Sequence, residues 1–111
     1  MKRGDLVTIA LQGDYGKPRP ALIIQADAFE ALESVTVLRL TSDIRDAPSL
    51  RLTISPTAAN GLRTPSQIMI DKAATLPREK IGAVIGKLDA SMMRRVNQAL
   101  IAFFDLEEDA A

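Results

Sequence analysis

The stretch Gly16-Lys17-Pro18-Arg19-Pro20-Ala21-Leu22-Ile23-Ile24-Gln25 is a stiff basic turn that runs straight into an apolar strand. Pro18 and Pro20 each fix their own backbone angle and bias the preceding residue towards an extended shape. Arg19 lies between them, so its backbone has little freedom. A guanidinium held in this way suits a phosphate or a carboxylate. Ala21 to Ile24 is short and continuously apolar, as expected of a strand covered on both faces. The plainer alternative is a strand whose first turn merely carries an arginine.

Working outward, Asp5 to Leu11 alternates as a strand, with Leu6, Thr8 and Ala10 on one face and Val7, Ile9 and Leu11 on the other. Gln12 to Lys17 is a loop, with Gly13 and Gly16 flanking Asp14 and Tyr15. The second strand is expected from about Pro20 to Gln25. Ala26 to Ser34 is ambiguous, and Asp27 could cap a helical turn carrying Phe29 and Leu32. Val35 to Leu40 forms a third strand that ends at Thr41-Ser42-Asp43. Such residues commonly turn a chain by bonding its own backbone. Leu50, Leu52 and Ile54 alternate with Arg51 and Thr53 as a fourth strand, and 55–65 is a connection.

Gln67 to Asp71 reads as a central strand that Lys72 to Leu76 continue or bend and Pro77 stops. Ile81 to Leu88 is the last strand, and Gly82 and Gly86 within it mark a bend or a close backbone approach. Asp89 is positioned to cap a helix from about Ala90 to Phe104. Met92, Val96, Leu100 and Phe103 form one apolar stripe on that helix, expected to meet the core or a second copy of the chain. The fold class is therefore mostly β (α+β): a small barrel-like antiparallel sheet with a C-terminal helix, in one domain over 1–111.

Fourteen basic and fourteen acidic residues cancel, so an anionic partner has to be met by a local patch rather than by bulk charge. The chain has no cysteine and no histidine. That removes disulfides, thiolate metal sites, a Cys nucleophile and the usual general base. No apolar run is long enough to span a bilayer, and the first residues lack a secretion-signal core, so a cytoplasmic location is expected.

Several segments together resemble the MazF/PemK/Kid family of bacterial toxins. They are Lys2-Arg3-Gly4-Asp5-Leu6-Val7, the proline–arginine stretch above, Leu40-Thr41-Ser42, Gly61-Leu62 with Ser66 to Asp71, and Ile85-Gly86-Lys87-Leu88-Asp89 with the helix after it. Each is short, but their order and spacing span residues 2–104. The resemblance implies an SH3-like barrel, CcdB/MazF-like, that works as a homodimer and is held inactive by a cognate MazE-like antitoxin. It also implies a sequence-specific endoribonuclease acting on single-stranded RNA without metal or cofactor. Catalysis maps by resemblance onto Arg19 and Thr41, and the family's acidic residue onto Asp71. The Kid branch has an arginine two residues before that acid, where this chain has Met69, and a histidine near the first loop. The proton-transfer scheme of that branch does not carry over.

Cleavage of this kind uses the 2′-hydroxyl as nucleophile and leaves a 2′,3′-cyclic phosphate and a 5′-hydroxyl. Arg19 would meet the non-bridging oxygens with paired donors. Thr41 would donate to the same phosphate or orient the nucleophile. Asp71 could serve as base only within hydrogen-bond reach of that nucleophile. Tyr15 could stack on a base from its glycine-flanked tip, and Lys17, Gln25, Arg39 and Arg45 are further candidate RNA contacts. Two non-nuclease readings share the fold class. A CcdB-like gyrase poison carries a tryptophan-containing C-terminal motif, and this chain has no tryptophan. A barrel that only binds a peptide would not need the Arg19/Thr41 pair.

Overall fold

The computed structural model describes residues 1–10 and 17–107. The strands are β1 (Asp5–Ile9), β2 (Arg19–Ile23), β3 (Ser34–Thr41), β4 (Arg51–Ile54), β5 (Ser66–Pro77) and β6 (Ile81–Lys87), followed by the helix α1 (Ala90–Phe104). They form one sheet in the order β4-β5-β3-β2-β1-β6, antiparallel throughout. The expected strands and helix are all present, within one or two residues at most ends.

Both faces of the sheet are buried at its centre, which explains the continuous apolar run in β2. Leu6, Leu22, Leu38 and Leu40 point to the face on which α1 packs through Val96. Val7, Ile9, Ala21, Ile23, Val35 and Val37 point the other way into a second core. Burying one such side chain contributes about 1.5–3 kcal/mol.

β5 is one long strand with a sharp irregularity. Leu38 pairs with Ala73 but Leu40 pairs with Ile68, so residues 69–72 bulge out of the β3 ladder. A bulge bends a strand and resets which side chains face inward. Accordingly Ile68 and Ile70 join the helix-side core, whereas Leu76 joins the other.

The sheet curls until its two edges approach one another. Beyond β4, the chain crosses to β6, where the Lys87 amide donates to the Ala59 carbonyl at 2.9 Å. Asn60 is buried and holds this crossing. Its Oδ1 accepts from the amides of Thr57 and Leu62, both at 3.0 Å, and its Nδ2 donates to the Ser55 carbonyl at 2.9 Å. Gly61 follows with φ +68°, and a Cβ there would lie 1.9 Å from the Ile85 carbonyl oxygen. Only glycine allows that approach.

Asp89 caps α1, its carboxylate accepting from the Met92 amide at 2.7 Å. Met92, Met93, Ala99 and Leu100 pack beside Val96. The apolar stripe reaches the core only as far as Leu100. Phe103 and Phe104 are 45% and 52% exposed and meet edge-on, with ring centroids 5.2 Å apart. Asp105 then ends the helix in the left-handed conformation. Arg3 ties α1 to the end of β2, donating from Nε to the Ile24 carbonyl and from Nη2 to Asn97 Oδ1, both at 2.7 Å.

One expectation changes in the β2–β3 connection. The helical turn is a single 3-10 turn over Asp27–Phe29 without a side-chain cap, because the Asp27 carboxylate instead accepts from the Arg3 amide at 2.7 Å. Arg78, an arginine without an assigned role in the sequence, donates to the carbonyls of Glu30 and Leu32 and so pins this connection to the end of β5. Among the described residues no helix is long and apolar enough to cross a membrane.

Candidate active-site groove

The register between β2 and β3 builds the site. Ala21 pairs with Arg39, Leu22 with Leu38 and Ile23 with Val37. The Ala21–Arg39 pair is the last of this ladder, and Arg19 and Thr41 each lie two residues beyond it on β2 and β3. Residues two apart on a strand share a face, so Arg19, Arg39 and Thr41 emerge together where the second core ends. All three line a groove of about 420 Å³, together with Ser42 and Asp43 after β3, Thr64 and Ser66 before and at the start of β5, and Met69 in its bulge.

Thr41 already holds a local bond: its Oγ1 accepts from the Asp43 amide at 3.1 Å. The backbone-turn role is therefore present. It leaves the Thr41 O–H proton free to donate, so one hydroxyl can both shape the turn and face an anion. Among the described residues Arg19 and Arg39 make no salt bridge. Two positive charges beside the hydroxyls of Thr41, Ser42, Thr64 and Ser66 make a site for a phosphodiester. Among the described residues no three carboxylates gather as a metal-binding group.

The loop after β3 is fixed by a residue that sequence reasoning passed over. Gln67 is 2% exposed, and its side chain binds the Arg45 backbone at both ends. The Arg45 amide donates to Gln67 Oε1 at 2.9 Å, and Gln67 Nε2 donates to the Arg45 carbonyl at 2.9 Å and to Thr53 Oγ1 at 3.0 Å. The available signal was a lone amide at the head of the apolar run Ile68-Met69-Ile70. A polar side chain buried among such neighbours has to find partners.

Other candidates lie elsewhere. Asp71 does not line the groove. Its carboxylate is bonded to Arg51, with Lys72 Nζ at 3.9 Å. Burial acts to raise its pKa, but the Arg51 hydrogen bond and charge, a backbone bond and Lys72 outweigh it and hold the carboxyl below its ordinary value. That makes it a poor proton acceptor. Gln25 sits at the far end of β2, with its Nε2 donating to the carbonyls of Phe29 and Ser34 and its Oε1 accepting from the Thr36 amide. It latches the β2–β3 connection and does not line the groove. Arg45 is not among the residues of the groove wall, and its guanidinium is paired with Asp43 of that wall at 2.7 Å. Lys17 is exposed at the entry to β2 and is not part of the groove wall. Tyr15 lies outside the described residues.

Comparison with known proteins gives a consistent result. Residues 2–104 match the family model described as PemK-like, MazF-like toxin of type II toxin-antitoxin system. A probable endoribonuclease MazF of Mycolicibacterium smegmatis is 49% identical over 107 residues, covering 96% of this chain and 98% of the relative. The solved Mycobacterium tuberculosis toxin MazF-mt6 is 30% identical with a TM-score of 0.80, covering 94% of this chain and 99% of that one. An endoribonuclease from a Mycobacterial species, solved with its cognate antitoxin, shares the fold at a TM-score of 0.80 and 23% identity, over 98% of this chain and 99% of that one.

Proposed function

The chain belongs to the PemK-like, MazF-like toxin family of type II toxin–antitoxin systems, and on that premise we propose that it is a toxin acting as an endoribonuclease in the groove between β2 and β3. The observation that carries this is the convergence of Arg19 and Thr41 on one groove. The substrate is single-stranded RNA, cut at specific sequences by attack of the 2′-hydroxyl on the adjacent phosphate.

Arg19 stabilises the charge that develops on the non-bridging oxygens. One pre-aimed donor of this kind contributes about 3–4 kcal/mol to the transition state. Arg39, which lines the same wall, shares that charge. Thr41 donates its hydroxyl proton to the phosphate or holds the nucleophile. Asp71 is assigned to the wall's support rather than to proton transfer, since Arg51 occupies its carboxylate. Charge stabilisation then dominates, without metal or cofactor.

The toxin acts in the cytoplasm as a single-domain subunit of a homodimer, and a cognate MazE-like antitoxin restrains it. The exposed Phe103–Phe104 pair and Leu106 offer apolar surface for a second copy. The test is to incubate purified protein with a long transcript in EDTA and map the ends. Discrete cuts bearing cyclic phosphate support the nuclease. Intact RNA with gyrase-linked DNA breaks would support a poison of the CcdB type instead.

A further inference from the structure

A second hollow adjoins the groove. The Pro18-Arg19-Pro20 order divides the two: Arg19 lines the groove with Thr41, whereas Pro18 lines the neighbouring hollow. Pro20, Thr64 and Ser66 line both, so they form a shared ridge. The hollow measures about 470 Å³, enough for a nucleoside. Pro18, Leu62 and Ile85 give it apolar walls, and Thr8 and Arg63 add polar groups.

The far wall is rigid. Leu62, Arg63 and Thr64 follow directly on the Asn60–Gly61 crossing, where the Leu62 amide is held by Asn60 Oδ1 and Gly61 lies against the Ile85 backbone. Thr64 is tied back as well, its carbonyl accepting from Ser66 Oγ at 3.0 Å. A wall fixed in this way can discriminate between ligands, because it does not give way to the wrong one.

Resting on the nuclease assignment above, we propose that this hollow receives an unstacked guanine base next to the phosphate held by Arg19. Sequence-specific readers of single-stranded RNA splay bases out, pack them against flat side chains and read their edges. Proline rings, Leu62 and Ile85 supply the packing surface. Arg63 supplies the edge reading, because a guanidinium fork matches the adjacent O6 and N7 acceptors of guanine. Adenine offers a donor beside N7, and cytosine offers a donor in place of O6. The hollow therefore sets one letter of the recognition sequence, while the groove performs the cut.

The test maps cut sites on an RNA pool randomised around a central segment, using the wild-type protein, Arg63→Ala and Arg63→Lys. Circular dichroism checks that the variants fold. The expected wild-type pattern has guanine at one fixed offset from the cut. Arg63→Ala should reduce that preference by about tenfold or more and leave other positions unchanged. Arg63→Lys should retain part of it. An unaltered pattern in Arg63→Ala, or a wild-type pattern with no guanine at any offset, overturns the subsite while the nuclease stands. A wild-type protein that cuts nothing overturns the nuclease assignment and the subsite with it.

Discussion

Arg19 and Thr41, each two residues beyond the Ala21–Arg39 pair on neighbouring strands, open onto the same groove. Neither is adjacent to the other in sequence. The β2–β3 register brings them together, and the prolines on either side of Arg19 limit how far its backbone can drift. Replacing Arg19 with alanine should therefore reduce single-turnover RNA cleavage by about 10²–10³-fold. The side chain is exposed and makes no salt bridge among the described residues, so the thermal midpoint should hardly move. Arg19→Lys should recover only part of the rate, because a point charge cannot present two aligned donors. Near-normal cutting by folded Arg19→Ala would refute the mechanism.

Thr41 carries two duties that substitution can separate. Thr41→Ser keeps the hydroxyl and should preserve both the Asp43 contact and cleavage. Thr41→Val keeps the shape but removes the acceptor for the Asp43 amide. The fold should lose about 0.5–1.5 kcal/mol, the ordinary worth of one such bond. Cleavage should fall much further than that, since the donor to the phosphate is gone. Equal small losses in stability and rate would reduce Thr41 to a turn residue.

Much of the fold was legible because β2, β3 and α1 carry strong local patterns. Proline clamps, alternation and an aspartate before a 3.6-residue stripe are all short-range signals, and they gave these elements within a few residues. The bulge at 69–72 was not legible, because it arises from how β5 follows a curling sheet and not from any residue within it. Arg19, Arg39 and Thr41 could be named from the chain, since they cluster at strand ends. Gln25 and Asp71 could not be told apart from site residues, because Gln25 bonds backbone groups of the connection that follows it and Asp71 bonds an arginine of another strand, and neither pairing shows in residue type. Phe29 and Arg51 give no sign in the sequence that they will claim them.

The Arg51–Asp71 pair predicts a pH dependence of stability rather than of catalysis. Asp71 titrates lower in the folded chain than in the unfolded one. The pair's stabilisation is then complete above the ordinary carboxylate range and is lost as pH falls through the depressed folded value. Asp71→Asn should lower the midpoint of urea unfolding at neutral pH and narrow the gap to wild type on acidification. Its cleavage rate should stay within about tenfold of wild type, short of the 10²–10⁴-fold loss expected for a general base. A loss in that larger range with the fold intact would restore Asp71 to the chemistry.

Gln67 holds the loop that forms one wall of the groove. Gln67→Met conserves size but strands the Arg45 amide and carbonyl. The fold should lose about 1–3 kcal/mol. With the loop released, KM for RNA should rise more than kcat falls, because Thr41 stays on its strand while Ser42 and Asp43 lose their anchor. Unfolding curves and steady-state kinetics on a short oligonucleotide would show this split. An unchanged KM would mean that the loop plays no part in holding the substrate.

Two glycines at the closing edge should respond very differently to the same change. A Cβ at Gly61 would meet the Ile85 carbonyl oxygen at 1.9 Å, and φ there is +68°. Backbone cannot rotate out of the way, so strain and overpacking add, and Gly61→Ala should cost about 2–5 kcal/mol. A Cβ at Gly82 would instead meet Thr8 Oγ1 at 2.3 Å. That atom sits on a side chain with other rotamers available, so Gly82→Ala should cost less, about 1 kcal/mol. Chemical denaturation of the two variants under one set of conditions gives the comparison. If Gly82→Ala proved the more damaging, the approach of the 55–61 crossing to β6 would not be what closes the barrel.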